Sequence, residues 1–221
     1  MARSTAATPT RGHKKRQRTR RQLIDAAIDV IAERGEAFSA SDIASRAEVS
    51  NGTFYNYFDD RDDLVDAVID EVVTAFASQA AAAFVDDNPV VRFATTSALA
   101  LRSAAAAPDH VSVVLRLGAV QRALIDSDAM AHLRDDIDAG HRLGRFDTSA
   151  TPAAVDVVVG SLLLAARHMA AGHPDAAEYT AQVVERLLHA LGASDSARSV
   201  AASATMRAGE LIRSPRSSLD S

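Results

Sequence analysis

Cysteine and tryptophan are absent from this 221-residue chain, and aromatic residues are scarce, with seven Phe and three Tyr. Without thiols, neither a disulfide nor a thiolate-bound metal can form. Glycine and proline are also few, at 10 and 6, so the expected core is one of closely packed helices joined through Ala, Leu and Val. No uninterrupted run of about 18 apolar residues occurs, and a basic head followed by an amphipathic helix is no signal peptide. The expectation is a cytoplasmic protein with no membrane partner. No Gly-rich phosphate loop, cysteine nucleophile or recognisable serine triad is found, and Asp135 and Asp136 are adjacent instead of sharing a helix face, which argues against an enzyme. His132, His141, His168, His173 and His189 make no compact ligand motif, so no metal or cofactor is expected.

What is present is a chain 48% apolar, long enough to bury one large core or a small module joined to a larger one. The net charge of −5 is unevenly spread. Residues 1–22 hold eight of the 24 basic residues and no acid, leaving 16 basic against 29 acidic residues, a net of −13, for the remainder. A basic head on an acidic body can hold a polyanion at one end only.

Residues 1–17, rich in Ala, Thr, Pro and charge, read as a disordered basic arm. Order is expected from near Thr19, where Leu23, Ala27, Val30 and Ile31 share a helical stripe that Gly35 terminates. Ser39 and Asp42 have capping-box spacing, predicting a short helix through Ile43, Ala44 and Ala47. Ser50 caps a third helix, and a fourth begins within 59–63, continuing toward Phe84. Further helices are expected at about 89–106, 110–126, 128–143, 152–171 and 175–191. Beyond Gly192 no durable hydrophobic period is visible, so 193–221 reads as a disordered tail. The chain therefore divides into an arm at 1–17, a small helical module at 18–78 with its helix-turn-helix at about 41–60, a larger helical domain at 79–192, and the tail. The DNA-binding role of the module and the effector and dimerisation roles of the larger domain are expectations carried by the motif and the resemblance given below.

Residues 50–58, Ser-Asn-Gly-Thr-Phe-Tyr-Asn-Tyr-Phe, are the most informative segment. On a helical wheel Phe54 and Phe58 point inward together, while Gly52, Thr53 and Asn56 face outward and Tyr55 and Tyr57 flank them. Gly52 allows close approach to a groove edge, and Asn51, Thr53 and Asn56 have amides and a hydroxyl suited to base edges. Tyr55, Tyr57 and Arg61 suit phosphate oxygens, and Arg18, Arg20 and Arg21 can follow the backbone or a narrow minor groove. The competing reading is an exposed polar helix beside an aromatic core, in a helical scaffold without DNA affinity.

The span from about Thr19 to Phe76 resembles the DNA-binding domain of the TetR family of bacterial transcriptional regulators. The resemblance rests on Leu23-Ile24-x-Ala26-Ala27, Gly35, Ile43-Ala44-x-x-Ala47, Val49-Ser50, Gly52-Thr53-Phe54-Tyr55-x-Tyr57-Phe58, Arg61 and Leu64. It implies an all-α homodimer that binds a double-stranded, near-palindromic operator, usually as a repressor released by a small-molecule effector. It places Thr53, Tyr55, Tyr57 and Arg61 on DNA-contacting positions and makes 152–171 and 175–191 the dimerisation pair. Two departures stand out: Glu48 where the family usually has Gly, and Arg61 where it usually has Lys.

For the effector, Phe93, Leu99, Leu115, Leu117, Met130, Leu133 and Met169 are possible walls of a mainly apolar cavity, with Gln121, Arg167 or His168 as polar anchors. Each can equally be core or surface. An activator, or a regulator with a filled cavity and no effector, fits the same sequence.

Overall fold

In the computed structural model, residues 11–81, 86–193 and 196–213 are described, and over them the chain is all helical. The helices are α1 (Arg11–Arg34), α2 (Ala40–Arg46), α3 (Asn51–Tyr55), α4 (Arg61–Ala81), α5 (Pro89–Ala106), α6 (Pro108–Arg116), α7 (Gly118–Ile125), α8 (Asp128–Arg142), α9 (Pro152–Ala170), α10 (Ala176–Ala190) and α11 (Ala197–Arg213). Two compact units divide at Val68 and Ile69, so the backbone of α4 belongs to both, and the boundary falls ten residues before the one expected at 78.

In the first unit the local signals act as the sequence implies. Gly35 has φ 66° and its N–H donates to Ile31 O, ending α1 in the left-handed conformation a Cβ disfavours. Ser39 and Asp42 form a reciprocal capping box, and Ser50 Oγ accepts from Thr53 N at 3.1 Å to start α3. Asp63 N donates to Asp60 Oδ1 and Asp59 N to Asp63 Oδ2, which satisfies the first turn of α4. Leu23, Ile31, Ile43, Phe54, Phe58 and Leu64 are fully buried in this unit.

In the second unit α5 is central, packed by α8, α9, α10 and α11. Phe93, Leu99, Leu133, Ile137, Val158 and Leu188 share one core cluster, and Leu101 and Met169 belong to a second. Arg92 pairs with buried Asp136 at 2.6 Å. Burial pushes the Asp136 carboxyl above its ordinary value, with Arg92 pulling in the opposite direction.

Three expectations are corrected. The arm is helical over 11–17, since α1 begins at Arg11; residues 1–10 lie outside the described residues. The segment expected at 110–126 is two helices, broken at Leu117, whose backbone is extended. The tail contains α11, which buries Ala197, Ala201, Ala204 and Ala208 against the core. Its spacing of four, three and four is helical, but Ala carries little hydropathic signal, so the stripe was passed over. The remainder of the tail, 214–221, is outside the described residues.

Among the described residues, α9 alone is long and apolar enough by length and composition to cross a membrane. Asp156 and Arg167 interrupt it, and Val157 and Leu164 are exposed.

Candidate nucleic-acid interface

The first unit presents α3 on a scaffold of α1 and α2. Gln22 Nε2 donates to Ala47 O at 2.7 Å, tying α1 to the turn between α2 and α3. Arg46 binds Glu33 at 2.7 Å and Asp29 at 3.5 Å, and Arg34 binds Asp42 at 2.9 Å. The Arg46 hydrogen bond holds Glu33 below the usual carboxylate range; hydrogen bonds from Ser39, with Arg34 assisting, do the same for Asp42. These exposed pairs fix orientation more than they add stability.

Helix α3 is shorter than the helical span 51–58 expected after the Ser50 cap, ending at Tyr55 with Asn56 as C-cap. Backbone bonds from Tyr57 N and Phe58 N to Phe54 O carry the turn onward, so Phe58 still reaches the core. The Phe54 and Phe58 rings are 5.7 Å apart, and Tyr55 meets Phe54 edge-on at 5.2 Å. Asn51, Gly52, Tyr55 and Asn56 are exposed, Tyr55 at 58%, while Thr53 and Tyr57 are half-buried. Thr53 Oγ1 lies 2.9 Å from Ser50 Oγ, so its hydroxyl also serves the cap.

Gly52 has no structural need for glycine within the chain. A Cβ added there would meet only Ser50 Oγ, at 3.9 Å, and its φ is not left-handed. An exposed glycine at this position leaves the helix start without a side chain that would keep another surface at a distance.

The basic residues of α1 divide between two faces. Arg16 lies over the Tyr57 ring at 5.8 Å and Arg20 over Phe58 at 5.2 Å. Arg18 and Arg21 instead line a recess of about 490 Å³ with Gln22, Asp25, Arg46 and Glu48. The structure therefore separates Arg20 from Arg18 and Arg21, and adds Arg16, whose spacing of four from Arg20 was the available signal.

Arg61 occupies a different setting from the one expected. Its Nη2 donates to Glu36 O at 3.0 Å and its guanidinium lies 4.5 Å from the Phe38 ring. These contacts fasten the loop after α1, while the side chain stays 41% exposed with Nη1 3.7 Å from Asp62. Glu48 has φ 56°, the one positive value at a non-glycine among the described residues. The turn thus keeps a left-handed position with a residue that pays for its Cβ there.

The residues considered for an effector do not converge. Phe93, Leu99, Met130 and Leu133 join the larger cluster, whereas Met169 joins the smaller one. Leu117 is buried, Leu115 is 41% exposed, and Gln121 is half-buried on α7. Arg167 and His168 are exposed, and His168 Nδ1 is 3.0 Å from Tyr179 Oη. No cluster of three or more metal-ligating side chains occurs among the described residues.

Over the described residues every element is a helix, and α2 and α3 with the turn between them make a helix-turn-helix. Residues 23–68 match the model described as bacterial regulatory proteins, tetR family. The HTH-type transcriptional regulator LuxR of Vibrio harveyi is 42% identical over 82 residues, which cover 34% of this chain and 38% of that relative's length. The chain therefore spans well under half of that curated relative. Solved structures extend the likeness. RolR in complex with resorcinol is 27% identical over 85% of this chain and 95% of its own, with a TM-score of 0.59. FadR of Bacillus subtilis in complex with stearoyl-CoA, at 19% identity, covers 77% of this chain and 98% of its own with a TM-score of 0.61, a likeness of fold alone.

Proposed function

We propose that this protein is a sequence-specific regulator of transcription that binds double-stranded operator DNA as a homodimer, acting as a repressor released by a small, largely apolar molecule. The observation that carries the reading is the asymmetry of α3. Phe54 and Phe58 account for its inner face, while exposed Gly52, Asn51, Tyr55 and Asn56 are not required by the core. Arg16 and Arg20 bring positive charge beside that surface, where it can engage phosphate. Asn51, Gly52, Thr53 and Asn56 are the groove-reading set; Tyr55 and Tyr57 position the helix on the backbone. Arg18 and Arg21 reach phosphate from the other face of α1, and Arg61 holds the loop that supports α3.

Dimerisation is assigned to 152–171 and 175–191. On α9, Val157 and Leu164 are exposed, and a Cβ at Gly160 would meet nothing within 4 Å. A mid-helix glycine costs about 1 kcal/mol against Ala, and a second helix approaching at Gly160 gives it a purpose. An effector is supported by the complex of RolR with resorcinol. Such a regulator works in the cytoplasm. Whether it represses or activates depends on where the operator lies relative to the promoter.

The test compares Gly52→Ala and Tyr55→Phe with wild type in thermal melts and in binding to a selected duplex. Gly52→Ala should keep or raise the melting temperature, since Ala favours a helix by about 0.5–1 kcal/mol, yet weaken specific binding. Tyr55→Phe should weaken specific and random duplexes alike. Unchanged binding in both variants would sink this reading.

A further inference from the structure

The buried stripe of α1, formed by Leu23, Ala27, Val30 and Ile31, does not stop at its last apolar residue. Arg20 stands three positions before Leu23 and Arg16 four before that, so both arginines continue the stripe that faces the module. Each guanidinium ends over an aromatic ring of the turn that follows α3. Arg16 is 5.8 Å from the centroid of Tyr57, and Arg20 is 5.2 Å from that of Phe58. Both lie within the reach of a cation–π contact, about 6 Å.

Four other arginines of this unit have their guanidinium groups engaged: Arg21 pairs with Asp25, Arg34 with Asp42, Arg46 with Glu33, and Arg61 donates to Glu36 O. Arg16 and Arg20 have neither an ion pair nor a hydrogen bond among the described residues, although Asp59 and Asp60 follow Phe58 directly. Asp60 instead caps Asp63 N at 2.9 Å. A ring against the face of a guanidinium leaves its edge open, with N–H donors in the fork that matches two phosphate oxygens. The stacking also restricts the long side chain beforehand, so less rotamer freedom is lost when an anion arrives. A lysine in the same place has a point charge and no planar face to stack.

From this arrangement we infer that Tyr57 is a positioning residue whose ring holds Arg16 with its guanidinium edge presented to a DNA phosphate, and that Phe58 holds Arg20 in the same way. The inference rests on the DNA-binding reading above and deepens it. It gives the basic start of α1 a fixed place beside the end of α3, and it gives Tyr57 a role through its ring instead of its hydroxyl. Such a contact is to the backbone and carries no sequence information.

The test is a double-substitution cycle on the full-length protein, titrated with a random duplex and with a selected duplex over a series of salt concentrations. Arg16→Ala should weaken binding to both about tenfold and reduce the slope of log affinity against log salt by about one. The same loss should appear when Tyr57 is first changed to Phe, which keeps the ring, and should fall below about twofold when Tyr57 is first changed to Leu. Arg16→Lys should lose most of what Arg16→Ala loses. Because Arg16 is exposed, that comparison does not depend on how well Tyr57→Leu folds. Equal loss from Arg16→Ala in the Leu and wild-type backgrounds, full binding by Arg16→Lys, a loss confined to the selected duplex, or wild type that leaves the random duplex unbound at low salt would overturn the inference. Failure of the regulator reading would be seen separately, as wild type that binds the random duplex yet selects no sequence.

Discussion

Glu48 shows how one residue can be correctly flagged by sequence while its setting stays hidden. Its departure from glycine was visible, and the left-handed φ of 56° shows that the backbone was retained instead of the turn being rebuilt. Glu48→Gly should therefore stabilise the first unit by about 1 kcal/mol, measured as a rise in the urea midpoint. No change would mean that Glu48 makes a compensating contact. Arg61 is the opposite case. Its charge was legible, but the distant loop carbonyl of Glu36 that takes up its donor was not, because a partner 25 positions away leaves no local pattern. Asp42 carries a pH signature. Its depressed pKa means that its contribution is present above the unfolded carboxylate range and lost as pH falls through the lower folded value. Asp42→Asn should lower the melting temperature at neutral pH, with the gap to wild type narrowing on acidification. Asp136, raised by burial, has the reverse sign: its contribution is greatest at acid pH and is lost as pH rises through its raised value.

Element starts and stops were the most legible part of the fold wherever a cap or a turn residue marked them. Gly35, the box of Ser39 and Asp42, Ser50 and Pro89 all act locally, so they were enough to place the end of α1 and the starts of α2, α3 and α5. The candidate surface on α3 was equally readable, because two Phe residues four apart leave only one outward face. What failed did so for lack of local contrast. The break at Leu117 lies inside an apolar stretch, and α11 packs through small alanines while its larger apolar Met206 is exposed. If α11 is integral, Ala208→Leu should overpack the core and destabilise the protein by about 1–3 kcal/mol, read as a lower urea midpoint. A detachable tail would tolerate the change.

At the scale of the whole molecule, the proposal that two copies share one operator is tested on the exposed face of α9. Leu164→Asp places a charge on that face, at a residue already 55% exposed. It should leave the helical content and the melting transition of the chain intact at low concentration while shifting the mass in sedimentation from dimer to monomer. The same variant should lose most of its operator affinity, because each copy then binds alone. A monomeric wild type, or a dimer unaffected by the substitution, would remove α9 from the interface.

The most direct measurement is selection of bound sequences from a random duplex pool by purified full-length protein at fixed salt. Enrichment of two half-sites related by dyad symmetry is the predicted result. Affinity for the selected duplex should fall by roughly three orders of magnitude between about 50 and 200 mM salt if about six phosphates are engaged. A pool that remains random, or an identical enrichment by Gly52→Ala, would contradict the claim that α3 reads DNA.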